Sequence, residues 1–162
     1  MEYRVPAALE QIQRIMAIPL KKTDVRLVRH LTVEEMQAIL NVPDPSSRNG
    51  IRDRAMLYLC FAGGLRVSEL IGLRLVDLNL QPHASILVHG KGRKERSLPL
   101  WKETTAALRA WLAVRGNVLV PELFLNARGE HMTRSGFEYI LRKHVRTARK
   151  QCTSLLMKRV SP

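Results

Sequence analysis

The stretch Gly63-Gly64-Leu65-Arg66-Val67-Ser68-Glu69-Leu70 decides how the chain is read. Upstream, residues 51–62 are apolar on nearly every face from Ala55 to Ala62, which predicts a central buried helix. The glycine pair ends it, and a second short helix is expected over Ser68–Leu73, with Ser68 as its cap. Arg66 therefore sits between two helices, where the backbone is fixed on both sides. A guanidinium held there can meet a phosphate with two parallel hydrogen bonds, and the following helix N-terminus also favours anions. Glu69 is placed to orient Arg66 from behind. An ordinary surface Arg–Glu pair is the plainer alternative.

Downstream, alternation over Leu73–Leu80 suggests a strand. Ser85–His89 and Glu95–Leu100 read as two more, joined by Gly90-Lys91-Gly92-Arg93-Lys94 as a β-hairpin with a basic tip. Lys91, Arg93, Lys94 and Arg96 place four cations in six residues, and the glycines allow close backbone approach to a phosphate. Lys91 is a candidate general acid. A solvated hairpin whose charges discourage edge pairing is the alternative.

Upstream of the buried helix, Leu9, Ile12, Ile15 and Met16 recur at helical spacing, giving a short amphipathic helix over Ala7–Ala17. Pro19 breaks it, and Leu20–His30 is a basic extended stretch resembling an interdomain linker. Thr32 with Glu35 forms a capping box ahead of Met36, Ile39 and Leu40. Residues 43–50 are turn-rich. Helices are expected at about 103–114 and 133–150. In the latter, Phe137, Ile140, Leu141, His144, Val145 and Ala148 make the apolar stripe. Arg142, Arg146 and Arg149/Lys150 line another face, with Arg134 at the start and Thr133 as cap. A helix with one core face and one arginine face can lie along a DNA groove. Glu138 is the acid available to pair with Arg142.

The global numbers agree. The chain has 162 residues, 27 Lys+Arg against 14 Asp+Glu, and a formal charge of +13. Counting along the sequence, residues 1–30 carry a net +3, 31–83 a net −1 and 84–162 a net +11. A neutral apolar half beside a strongly basic one suggests a core with a polyanion-facing side, nucleic acid before anionic membrane. With 46% hydrophobic residues a real core is expected. Two cysteines make no disulfide framework, so the chain reads as intracellular with free thiols. No apolar run nears the roughly 18–20 residues of a membrane span, and no signal-peptide pattern opens the chain. The five histidines show no metal spacing with the cysteines. Trp101 and Trp111 are expected in the core, Tyr58 in the buried helix and Tyr139 on the surface of the 133–150 helix.

Taken together, these residues resemble a tyrosine recombinase of the phage-integrase family, most similar to the integrase/recombinase proteins of bacterial mobile elements. Leu31-Thr-Val-Glu-Glu-Met resembles the opening of the family's catalytic domain. Gly64-Leu-Arg-Val-Ser-Glu-Leu matches the box of its first catalytic arginine, and Gly90-Lys-Gly-Arg-Lys-Glu-Arg with Leu98-Pro-Leu matches the hairpin of its catalytic lysine. The resemblance covers about residues 31–162 and implies the following. The fold is mainly α with a small antiparallel β-sheet (α+β), and 31–162 form the N-terminal two-thirds of the catalytic domain. Residues 1–30 are the linker and the end of a core-binding segment. Arg66 and Lys91 are catalytic, with Glu69 behind them; Arg93, Lys94, Arg96, Arg134, Arg142 and Arg146 contact DNA. The partners are duplex DNA and other recombinase protomers, which assemble as tetramers in the family. The site is cytoplasmic, on the bacterial nucleoid. Neither metal nor other cofactor is required, because a phosphotyrosyl link conserves the bond energy.

The resemblance also marks a departure. In the family a His-x-x-Arg box, a further His or Trp, and the nucleophilic tyrosine follow, whereas Val160-Ser161-Pro162 resembles the stretch just before that box. Tyr139 precedes it and does not fill the gap. The expected behaviour is DNA binding without cleavage, with exposed apolar surface near 137–157. Two other readings stay open at this point: a non-catalytic DNA-binding protein competing with a full-length relative, and a basic RNA-binding or structural protein.

Overall fold

The computed structural model describes residues 6–18, 30–90, 92 and 94–161, and the side chains from Glu10 onward. It divides into two units, Met1–His30 and Leu31–Pro162. In the first, α1 (Pro6–Met16) closes with an exposed Glu10–Arg14 pair one turn apart. Its Ile12, Ile15 and Met16 stripe is exposed. The basic stretch expected as a linker falls almost wholly outside the described residues.

The second unit opens with the expected capping box. The Thr32 hydroxyl accepts the Glu35 N–H, and the Glu35 carboxylate accepts the Thr32 N–H at 2.8 Å. That fixes the start of α2 (Val33–Leu40), which buries Ile39 and Leu40. Next, α3 (Arg48–Gly63) starts at Ser47, whose hydroxyl accepts the Gly50 N–H, and ends at Gly64 with φ +54°. Only a residue without a Cβ adopts that turn at low cost, so the glycine pair sets the exit direction toward Arg66. Ala55, Met56 and Leu59 are fully buried, as expected for the central helix.

Six residues make α4 (Val67–Gly72), too few to be stable alone. Tertiary packing holds it: Val67 and Leu70 are buried, the latter contributing about 1.5–3 kcal/mol. The helix starts one residue earlier than the sequence suggests. Arg66, not Ser68, is the N-cap residue, and the Glu69 carboxylate accepts its N–H at 3.0 Å.

The strand expected over Leu73–Leu80 is mostly absent. A 3₁₀ turn (Leu75–Asp77) precedes a two-residue strand, β1 (Leu78–Asn79). Two features explain the difference. Asp77 turns back to accept the Arg74 N–H at 2.8 Å, and the Leu75 N–H and Leu73 C=O bond to Pro121 and Leu123 instead of to a ladder. The hairpin strands are as expected: β2 (Ser85–His89) and β3 (Glu95–Pro99), antiparallel with Val88 opposite Arg96 and His89 opposite Glu95. Sheet order is β1-β2-β3. The architecture is thus mainly helical with one small antiparallel sheet.

Helix α5 (Lys102–Arg115) lies along α3, and α6 (Arg134–Ala148) packs on α2 and α4. Trp111 is buried, its indole N–H on the Leu123 carbonyl at 2.8 Å, and Arg115 gathers the carbonyls of Glu122 and Leu123. The two tryptophans differ, however. Trp101 is 69% exposed at the N-cap of α5, whereas Trp111 lies inside the same helix and is buried.

Two buried polar clusters pin the helices. Asp53 of α3 accepts from Arg52 and meets His144 Nε2 of α6 at 2.8 Å, all three nearly inaccessible. Glu35 of α2 accepts from Ser154 and Lys158, each at 2.6 Å, tying down the segment around the last 3₁₀ turn (Thr153–Met157). Lys158 holds the Glu35 carboxyl down to a pKa of about 2. Among the described residues from 137 onward, the exposed large apolar side chains are Tyr139, Leu156 and Met157, whereas Phe137, Ile140, Val145 and Leu155 are buried.

Candidate active site and nucleic-acid face

The site is built on one buried acid. Glu69, in the first turn of α4, has a side chain 4% exposed. Its Oε1 accepts from Arg66 Nη1 at 3.1 Å, and both oxygens accept from Arg96 of β3, at 3.1 and 2.8 Å. One carboxylate thus joins the residue between α3 and α4 to the second strand of the hairpin. Arg96 chiefly holds the Glu69 carboxyl down to a pKa of about 2, so it is ionised at neutral pH. Arg66 stays 76% exposed: fixed at one edge of its guanidinium, open at the other. That leaves donors to present to an anion.

The hairpin base packs against the same carboxylate. The Gly90 N–H donates to the Lys94 carbonyl at 2.7 Å. A Cβ at Gly90 would lie 3.2 Å from that carbonyl oxygen and within 4 Å of Arg96 Nη1 and Glu69 Oε1. An open cleft of about 500 Å³ results, lined by Arg66, Ser68, Glu69, His89 and Gly90. Lys91, the next residue in the chain, and Arg93 lie outside the described residues; Lys94 is exposed.

His89 was passed over in the sequence, yet it lines this cleft. Its Nε2 is 2.9 Å from Asp77 Oδ1 and its Nδ1 is 2.9 Å from Glu95 Oε1. The Asp77 hydrogen bond raises its pKa most, with Glu95 adding.

The second basic surface is the outer face of α6. Arg142 and Arg146 are exposed, sharing a shallow concavity with Tyr139, Lys143, Thr147 and Lys150. Among the described residues neither arginine has an ion pair. Two expectations change here. Glu138 pairs with Arg134 at 3.0 Å, one turn back, rather than with Arg142. Arg149 leaves the basic face, its guanidinium donating to the Leu155 and Lys158 carbonyls, where it caps the turn after α6.

Among the described residues no group of three or more His, Cys, Asp or Glu is placed to hold a metal ion. No helix among them is long and apolar enough to cross a membrane.

The phage integrase family model matches residues 29–161, spanning the α4 box, the hairpin and α6. The chain belongs to that family. Among its relatives is an integrase/recombinase of Sinorhizobium fredii, y4rC, 44% identical over 161 residues, covering 98% of this chain and 48% of the relative. Tyrosine recombinase XerC of Myxococcus xanthus is 41% identical over 144 residues, covering 84% of the chain and 46% of XerC. This integrase-family chain therefore spans about half the length of each. Among solved structures, XerA recombinase superposes with a TM-score of 0.69 at 21% identity, over 96% of this chain and 54% of that one, a likeness of fold. XerH bound to palindromic difH substrate, in a post-cleavage complex, gives 0.65 at 27% identity over 76% and 37%.

The sequence reading missed three integrase-fold residues: His89, Asp77 and Asp53. His89 carried a signal, being the last residue before the Gly90-Lys91 tip, and Asp77, three residues after Arg74, could have been read as the acid of a capping box. Asp53 and His144 lie 91 positions apart, and no local pattern links them.

Proposed function

We propose that this chain serves site-specific DNA recombination of the tyrosine recombinase type, binding duplex DNA with Arg66 and Lys91 at the scissile phosphate. The observation that carries the reading is the pair of guanidiniums gathered on buried Glu69, beside the base of the hairpin that carries Lys91. Family membership and the difH complex of XerH add support. Residues 31–162 act as the catalytic-domain portion, and 1–30 as the linker and the end of a core-binding segment.

In this reading a tyrosine hydroxyl attacks the phosphorus. The bond to the 5′ oxygen breaks, and a 3′-phosphotyrosyl link forms. Arg66 neutralises charge growing on a non-bridging oxygen, and Lys91 gives its proton to the departing 5′ oxygen. The reverse attack by a 5′-hydroxyl restores the phosphodiester and frees the tyrosine. In this reading the attacking tyrosine and a second arginine are groups other than those assigned here. Arg93, Lys94, Arg134, Arg142 and Arg146 hold backbone or groove, and Arg96 acts on DNA through Glu69. The assembly is with other recombinase protomers on bacterial nucleoid DNA.

Duplex affinity measured against salt tests this. With about five phosphates contacted, log K falls with log[salt] at a slope of roughly −4 to −5, and the R66A/K91A double variant loses about two units of slope. Equal affinity for RNA and duplex DNA, or an unchanged slope in the variant, overturns it.

A further inference from the structure

His89 is the last residue of β2, and its ring contacts two carboxylates at once. Asp77 Oδ1 is 2.9 Å from Nε2, and Glu95 Oε1 is 2.9 Å from Nδ1. A carboxylate has only acceptors, so each ring nitrogen must donate, and only the imidazolium has two N–H groups. A neutral ring would turn one lone pair on an oxyanion. The geometry alone therefore asks for the charged form.

The three residues tie three elements together. Asp77 is buried in the 3₁₀ turn after α4, its other oxygen holding the Arg74 N–H at 2.8 Å. Glu95 faces His89 across the ladder as the first residue of β3. The imidazolium thus closes both stems of the hairpin, at the last pair before the tip, onto a turn braced by the core. It also lines the cleft beside Arg66 and Gly90.

We propose that His89 is a positioning residue of the site: bridging Asp77 and Glu95 as an imidazolium, it fixes the base of the hairpin that presents Lys91 and adds a positive charge beside Arg66. The inference rests on the phosphate-binding reading of the cleft. Its pH sense follows from the charges around the ring. Asp77 from the turn and Glu95 from β3 favour the proton. From α4, Glu69 is already neutralised by Arg66 and Arg96, and Lys94 is exposed at the tip. The ring's pKa is accordingly raised above the usual 6.5. The clamp is complete below that value and is lost as pH rises through the higher folded value.

Two measurements on the 162-residue chain test the proposal. Ring ¹⁵N NMR of His89 should show a titration midpoint above 6.5 with both nitrogens protonated below it, and the Gly90, Gly92 and Lys94 amides titrating at the same midpoint. E95Q should lower that midpoint. The clamp is overturned if His89 titrates at or below 6.5, or if the tip amides ignore its titration. This readout needs no DNA, so it stands or falls apart from the proposed function. The second measurement is duplex affinity across pH 6.5–9. Wild type should weaken roughly threefold more than H89R, whose charge is permanent, and H89Q should sit near the high-pH level throughout. Identical pH profiles for wild type, H89Q and H89R overturn the role in DNA binding. If wild type binds no duplex at any pH while the NMR titration is as expected, the functional reading of the cleft fails and the clamp survives.

Discussion

The cleft beside α4 and the outer face of α6 are both cationic, but they treat arginine in opposite ways. At the cleft the described cationic groups are held: Arg66 and Arg96 share Glu69, and the His89 ring lies between Asp77 and Glu95. On and just after α6, Arg142, Lys143, Arg146 and Lys150 are exposed, with no ion pair among the described residues. A held cation loses less side-chain entropy when it meets a phosphate and meets it in one geometry. A free cation attracts the polyanion from any angle and gives affinity without register. In the proposed function one region positions a particular phosphate and the other keeps a duplex nearby.

The free face nonetheless depends on a rigid back. His144, on the inner side of α6, meets Asp53, which also accepts from Arg52, with side chains 5%, 3% and 8% exposed. Removing the acid with Asp53→Ala strands a buried guanidinium and unpins α6 from α3. The expected loss is about 3–5 kcal/mol, the largest of any substitution considered, read by urea denaturation. A loss under about 1 kcal/mol would mean that water replaces the acid and that apolar packing alone places α6.

Glu69→Gln separates holding from attracting most directly. By net charge alone, deleting an acid from a phosphate site should tighten DNA binding, as it would anywhere near α6. If Glu69 holds Arg66 and Arg96 in place, duplex affinity instead falls roughly tenfold, the equivalent of one charge-assisted hydrogen bond. Fluorescence anisotropy with a labelled duplex gives the sign, and the sign decides between the two mechanisms.

Much of this contrast was legible in the sequence, for local reasons. The Thr32–Glu35 box, the Gly64 helix end, the hairpin and the Glu69 contact to Arg66 depend on residues within a few positions of one another. The arginine periodicity of α6 is local too. What sequence could not place was set by distance. Arg96 reaches Glu69 across 27 positions and Asp53 reaches His144 across 91. The 3₁₀ turn at Leu75–Asp77 displaced an expected strand because its backbone partners, Pro121 and Leu123, arrive from the far side of α5. Arg149 looked like one more cation on the basic face until the carbonyls after α6 claimed it.

The held acids also set an acid limit for the fold. Glu69 and Glu35 each titrate at about 2 in the folded chain, against an ordinary 4.5. Their folded values are depressed, so their contribution is complete above 4.5 and is lost as pH falls from there toward 2. Wild type should lose denaturant stability progressively across that window. E35Q and E69Q should each flatten the acid limb while lowering stability at pH 7. Acid limbs superimposable on wild type in both variants would show that these ion pairs do not differ from the unfolded state.

The smallest effects belong to the free cations, and they complete the comparison. Arg142→Ala and Arg146→Ala each remove an exposed charge with no ion pair among the described residues, so folding stability should stay within about 0.5 kcal/mol. Each should reduce the salt slope by about 0.9 and weaken unrelated duplexes equally, because a charge that only attracts carries no register. The double variant should then lose the sum, with no coupling between the two. A loss in R142A that depends on duplex sequence would show that this side chain reads a base edge. That would move α6 from the attracting class to the positioning one, with the groove doing for Arg142 what Glu69 does for Arg66.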